Sequence, residues 1–203
     1  IFDLIVEGVR YTWRDRRLKM LFLMECNVSI FGLAYIPLLP AFAIQVLKDP
    51  KLLGMIFSSV GVGAMTGLGL LIGYSNRPIK ALVVKVAMTT MGLCLVTISF
   101  VHSLYLIYPL FALIGASAIM QFNTTNTLFQ TLSPERMKGR VISMHLWALN
   151  GSAPIALPLF GWIAQNYSVE IAMRFGGSMV LIGAMLGWAN RRRLDGVDQI
   201  VEA

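Results

Sequence analysis

Charge is what this sequence has least of. Only 13% of its 203 residues are charged, and ten of those are acidic, whereas a soluble domain carries about 25%. So few charges cannot clothe a hydrophobic core in a solvated surface, which excludes an ordinary soluble domain. Cysteine is nearly as scarce. Cys26 and Cys94 both fall in apolar runs, and two thiols are too few for a disulfide framework or a thiolate metal site. They read as buried free thiols packing as small hydrophobes. Paired aspartates, an HExxH helix and a serine–histidine pair at one depth are missing as well, which argues against an intramembrane enzyme. No cofactor is expected.

What the sequence has in quantity is long apolar runs. Hydrophobic residues make up 57% of it, and no charge occurs between Lys51 and Arg77, Lys85 and Glu135, or Arg140 and Glu170. A helix crossing the hydrocarbon needs roughly 20 apolar residues. The first and third gaps fit one crossing each. The middle one fits two, joined by a turn near His102 and Ser103. With a run through Glu25 to Lys48 and a last one ending before Arg191, the expected spans are 18–47, 52–74, 81–101, 104–130, 141–165 and 169–190. An amphipathic cytoplasmic linker helix is expected over 1–17 and a cytoplasmic tail over 191–203. Ile1 opens inside what reads as a continuing helix, so a piece of a longer chain is expected.

The net charge of +7 does not point to nucleic acid, which would want its cations on one face with aromatics between them. Six spans put both ends on one side of the membrane. Fourteen Lys and Arg then fall on that side and three, Lys48, Lys51 and Arg174, on the other. Basic residues accumulate in cytoplasmic loops, so both ends are expected in the cytoplasm.

Along the chain, Ile5, Val9 and Trp13 share one face of the first segment, and Glu7, Arg10 and Arg14 share another. Pro37 and Pro40 predict a kink near the outer end of the first span, and Gly151, Pro154, Pro158 and Gly161 predict a bend in the fifth. The second span carries two GxxxG pairs, Gly63 with Gly67 and Gly69 with Gly73. Lipid offers no hydrophobic drive for association, so these are read as close-packing positions between helices. A nucleotide-binding reading fails, because the spacing is not GxGxxG and no strand precedes it. Ser133, Pro134 and Glu135 read as a helix start with Ser133 as its cap.

Four pieces of the sequence, VEGVRYTWRDRRLK, FGLAYIPLLPAFA, NTTNTLFQTLSPERMKGRVIS and MRFGG, together resemble bacterial exporters of the major facilitator superfamily, those similar to enterobactin exporters. The resemblance implies an all-α polytopic membrane protein whose six transmembrane helices form one half of a twelve-helix fold. It implies alternating access about a cavity shared with a missing N-terminal six-helix half. By the same resemblance the function is proton-coupled efflux of a small amphipathic molecule, such as a siderophore or drug, across the bacterial inner membrane. A non-transporting assembly protein or a channel subunit is the alternative. The expected partners are membrane lipid, the missing half and a small-molecule substrate, with no nucleic acid. The loop between the second and third spans, GYSNRPIK, keeps Gly73 and Arg77 of the superfamily's signature but lacks its acid. Gly73, Arg77, Glu135, Arg136, Gly139 and Arg140 are therefore the gating or loop candidates.

For proton coupling the candidate is Glu25, because an intramembrane carboxylate is costly without a partner or a role. The other reading pairs it at shallow depth with Lys19, Arg17 or a basic loop. His102 and His145 are read as interfacial or hydrogen-bonded groups rather than relays. Asn27, Gln121, Asn123, Asn126, Gln130 and Asn150 are cavity-lining candidates. Asn126 and Gln130 also read as holding the end of the fourth helix, and Asn150 as an interhelical hydrogen-bonding group.

Overall fold

A chain in hydrocarbon must satisfy its own backbone polar groups, so the long apolar runs can only be helices. The structure is a computed structural model that describes residues 2–74, 77, 79–151 and 153–190; the expected tail at 191–203 lies outside the described residues. Among the described residues the helices are α1 (Phe2–Arg14), α2 (Arg16–Asn27), α3 (Tyr35–Gln45), α4 (Leu52–Gly73), α5 (Lys80–Ile98), α6 (Leu104–Thr131), α7 (Lys138–Leu146), α8 (Ala153–Asn166) and α9 (Val169–Ala189). Six stretches are long and apolar enough to cross a membrane: Arg16–Gln45, Leu52–Gly73, Lys80–Ile98, Leu104–Thr131, Glu135–Asn166 and Val169–Ala189. The chain is an all-α polytopic membrane protein. Large apolar side chains stand on its outer surface, among them Met65 at 77% exposure and Ile72 at 67%, which suits a chain that spans a bilayer.

Two of the six spans are broken, and each break is a π turn. In the first span, α2 runs into a π turn at Val28–Gly32 before α3 begins. In the fifth, α7 runs into a π turn at Trp147–Gly151 before α8. The prolines sit differently from the kinks expected of them. Pro37 falls in the first turn of α3, where its missing N–H costs no helical bond, so the break lies upstream of it. Pro40 and Pro158 lie inside α3 and α8.

Ser133 does not cap the next helix. Its hydroxyl donates to the Phe129 carbonyl at 2.5 Å, closing the end of α6 instead, and Glu135–Met137 follows as a 3₁₀ turn. A late carbonyl of a helix has no intrahelical partner, and a hydroxyl four residues on reaches it readily.

Between α4 and α6 the backbones touch. A Cβ on Gly63 would stand 1.8 Å from the Ala112 carbonyl oxygen, one on Gly67 2.7 Å from Ala116 Cα, and one on Gly115 2.1 Å from the Val60 oxygen. Gly69 and Gly73 differ: nothing lies within 4 Å of the place a Cβ would take. The second GxxxG pair therefore packs no helix among the described residues, because the α4 face that carries it is turned outward. The neighbouring glycines of MRFGG serve two partners, Gly176 facing the Phe31 carbonyl of the first span and Gly177 facing Gly92 and Leu95 of α5.

Candidate functional site

The two broken spans lie side by side, and their polar groups meet there. Asp15 starts the first span: its carboxylate accepts from the Arg17 and Leu18 amides, at 2.7 and 3.4 Å, which separates α1 from α2. Phe22, two turns into the span, stacks on Trp147 with ring centroids 5.9 Å apart. Glu25 follows, then Ser29. From the fifth span His145 and Leu149 face them.

Glu25 Oε2 lies 2.7 Å from His145 Nδ1, and both side chains are buried. The pair differs from the shallow contact with Lys19 or Arg17 that sequence reasoning offered as one reading. An ionised Glu25 accepts from the Nδ1–H of His145. A protonated Glu25 instead donates its O–H to a bare Nδ1. The same short contact therefore accommodates the ionised and the protonated carboxyl, the added proton coming from outside the pair and the imidazole carrying its own hydrogen on Nε2 in the second case. Phe129 of α6 packs against the imidazole at 5.6 Å between centroids. The second carboxylate oxygen, Oε1, is buried and has no protein partner among the described residues. One turn further, the Ser29 hydroxyl donates to the Leu149 carbonyl at 2.6 Å, joining the two π turns.

On α6 the polar run divides between two faces. Gln121, Thr124 and Thr125 are buried, and among the described residues the amide of Gln121 and both threonine hydroxyls find no partner. Buried polar atoms in that state are where ordered water or a ligand is held. Asn123, Asn126 and Thr127 line a groove of about 320 Å³ with Tyr74 and Lys80 of the second and third spans. Asn123 donates to the Ile119 carbonyl at 2.9 Å, and Gln130 donates to the Asn126 amide oxygen at 3.0 Å.

Asn27 joins the first span to the sixth, its amide donating to the Met179 carbonyl at 3.1 Å. Among the described residues Asn150 makes no interhelical bond of the kind expected of it. It is exposed and donates at 3.3 Å to Leu146 in its own span, because the π turn rotates it off the packed face. His102 is exposed at the turn between α5 and α6, and Arg174 donates to Ser99 while its guanidinium lies 3.9 Å from the Phe100 ring centre. Cys26 and Cys94 are free thiols.

Glu135, Arg136, Gly139 and Arg140 lie at the end of the bundle where α1 docks. Arg140 is ion-paired with Glu7, and a Cβ on Gly8 would stand 3.2 Å from that of Arg140. Arg136 lines a groove with Arg10, Arg14 and Tyr11 of α1, and Glu135 pairs with Lys138. Gly139 has open space around it. In the other loop Arg77 lies over the Tyr74 ring at 5.2 Å.

The sequence matches the family described as transmembrane secretion effector, within the major facilitator superfamily, over residues 1–201. The chain belongs to that family. This major facilitator chain is 25% identical to the multidrug efflux pump Tap of Mycolicibacterium fortuitum, over 93% of this chain and 46% of that protein. It is 25% identical to the Tap pump of Mycobacterium tuberculosis strain H37Rv, over 77% of this chain and 38% of the pump. It is also 23% identical to the uncharacterized MFS-type transporter YfmI of Bacillus subtilis, over 91% and 47%. It thus spans less than half the length of these relatives. No solved structure gives a significant match.

Within this major facilitator chain, sequence reasoning had singled out Glu25 but not its partnership with His145. The two are 120 residues apart, and only the packing of the broken spans brings them together. Thr124 and Thr125 belong to the polar end of the fourth span, which is expected to face helices or a cavity, whereas Ser29 carried no signal beyond being a polar residue in an apolar run.

Proposed function

We propose that the chain is one half of a proton-coupled exporter that moves small amphipathic molecules by alternating access, with Glu25, held against His145, as its proton-binding group. One observation carries the reading: a carboxylate and an imidazole share a single 2.7 Å contact, buried inside the membrane, at the joint of the two broken spans. A group that binds and releases a proton beside two π turns can bias their arrangement, which coupling requires. The names of the Tap relatives favour drugs or drug-like amphiphiles as substrates, and a siderophore is the other candidate. The reading places the protein in the inner membrane with both ends of this chain cytoplasmic, in contact with lipid and with a second six-helix half. It assigns no covalent chemistry and no nucleic-acid partner.

The test is efflux from vesicles holding the full-length transporter, measured against external pH. Glu25→Gln keeps the size and a hydrogen bond to His145 but cannot ionise. Efflux by that variant is expected to lose its pH dependence. An unchanged pH profile removes Glu25 from coupling. Saturation and counter-transport of substrate separate a carrier from a channel in the same preparation.

A further inference from the structure

A groove of about 440 Å³ runs between α2 and α9, at the end of the bundle where the first span begins and the sixth ends. On α2 its wall is Arg16, Met20, Leu23 and Asn27, whose spacing of four, three and four residues puts them on one helical face. Arg16 and Lys19 stand at the mouth. Asn27 and Gly183 close the far end, about 16 Å further along the helix at 1.5 Å per residue. The Asn27 amide is fixed there by its bond to Met179, and a Cβ on residue 183 would lie 2.5 Å from its oxygen. Glycine at 183 thus lets the amide lie flat in the floor. Between the ends the walls are apolar and open sideways, with Leu23 51% and Leu186 60% exposed. Among the described residues lining the groove none is acidic. Lys19 also lies 5.8 Å over the Trp13 ring, which stands exposed on α1.

We propose that this groove is a binding site for one anionic phospholipid, its phosphate on Arg16 and Lys19 and one acyl chain laid along Met20, Leu23 and Leu186. The mouth lies where an apolar span begins, which is headgroup depth. The length beyond it matches one leaflet, about half of the roughly 30 Å hydrocarbon core. Two cations without an acid select a negative headgroup, and the apolar, laterally open walls select a chain that arrives from the bilayer. A soluble phosphate would use the mouth and leave the walls bare. The inference rests on the membrane placement and is independent of proton coupling.

The experiment is native mass spectrometry of the full-length protein released from nanodiscs of equal phosphatidylglycerol and phosphatidylcholine. The wild type is expected to retain phosphatidylglycerol in preference to phosphatidylcholine. Arg16→Gln with Lys19→Gln removes both charges and should weaken that retention about 25-fold, about fivefold for each charge. Leu23→Trp keeps the charges but fills the groove, and it too should lose the lipid. Leu23 is half exposed, so this variant leaves the core intact and decides the matter alone if the charge variant does not purify. Retention unchanged in either purified variant overturns the proposal. So does displacement of the lipid by millimolar inorganic phosphate, which would mark a plain anion site at the mouth.

Discussion

The hydroxyl of Ser29 reaches across to the carbonyl of Leu149 at 2.6 Å, so the π turn of the first span is tied to the π turn of the fifth by one side chain. A π turn leaves a carbonyl out of the regular ladder, and such a carbonyl needs a donor where no water enters. Serine, small enough to lie between two helices, supplies one.

Replacing that hydroxyl should loosen the joint without unfolding the bundle. Interhelical hydrogen bonds in membrane proteins contribute about 0.6 kcal/mol on average. Ser29→Ala is expected to lower stability by about that much, read as a small fall in unfolding midpoint in detergent micelles. A midpoint identical to wild type would mean the Leu149 carbonyl finds another donor.

The Glu25–His145 contact is expected to be strongly non-additive. Removing one partner strands a buried polar group, at about 2 kcal/mol, whereas removing both strands nothing. In a cycle of Glu25→Leu, His145→Leu and the double variant, the coupling should come to at least about 1 kcal/mol. Additive losses in unfolding free energy would show that the two side chains do not depend on each other.

Glycines of α4 should sort sharply by face. Gly63→Ala drives a methyl group into the Ala112 carbonyl, 1.8 Å away, and overpacking of this kind costs about 3 kcal/mol or more. Folded yield of that variant should collapse, while Gly69→Ala, with open space around it, should purify like wild type. Equal yields would contradict the close approach of α4 to α6.

Docking of α1 onto α7 offers a chemical test. The Cβ positions of residues 8 and 140 lie 3.2 Å apart, a few tenths of an ångström inside the roughly 3.5–4.5 Å of a disulfide, so a small outward shift of α1 brings them into range. Gly8→Cys with Arg140→Cys should therefore cross-link under mild oxidation, seen as a reducible mobility shift once the chain is cut between α1 and α7. The Glu7–Arg140 ion pair, half exposed at Glu7, contributes no more than about 0.5 kcal/mol. Its loss should not release the helix, and absence of the cross-link would show that α1 is not docked on α7.

The membrane class was legible because the bilayer imposes a length on every charge-free run, and six such runs stood between the basic clusters. Glycine spacing flagged Gly63 and Gly67, but it flagged Gly69 and Gly73 equally, since a motif on one helix says nothing about which face meets a neighbour. Glu25 stood out as a lone acid in an apolar run. Its partner did not, because His145 reads in sequence as one more polar residue near a span's end. The π turns were legible only in part. Pro37, Gly151 and Pro154 predicted distortion in the two spans, but nothing in residues 28–32 marks a wide turn until its hydrogen bonds are counted.

Each π turn also bears on how the chain can change length. It holds one residue more than an α-helical turn, so losing a single residue within Val28–Gly32 narrows that wide turn rather than opening a gap in a regular ladder. The same loss elsewhere in a span rotates everything beyond it by about 100°. In the first and fifth spans, these two short stretches are therefore where a one-residue deletion disturbs the facing of the flanks least.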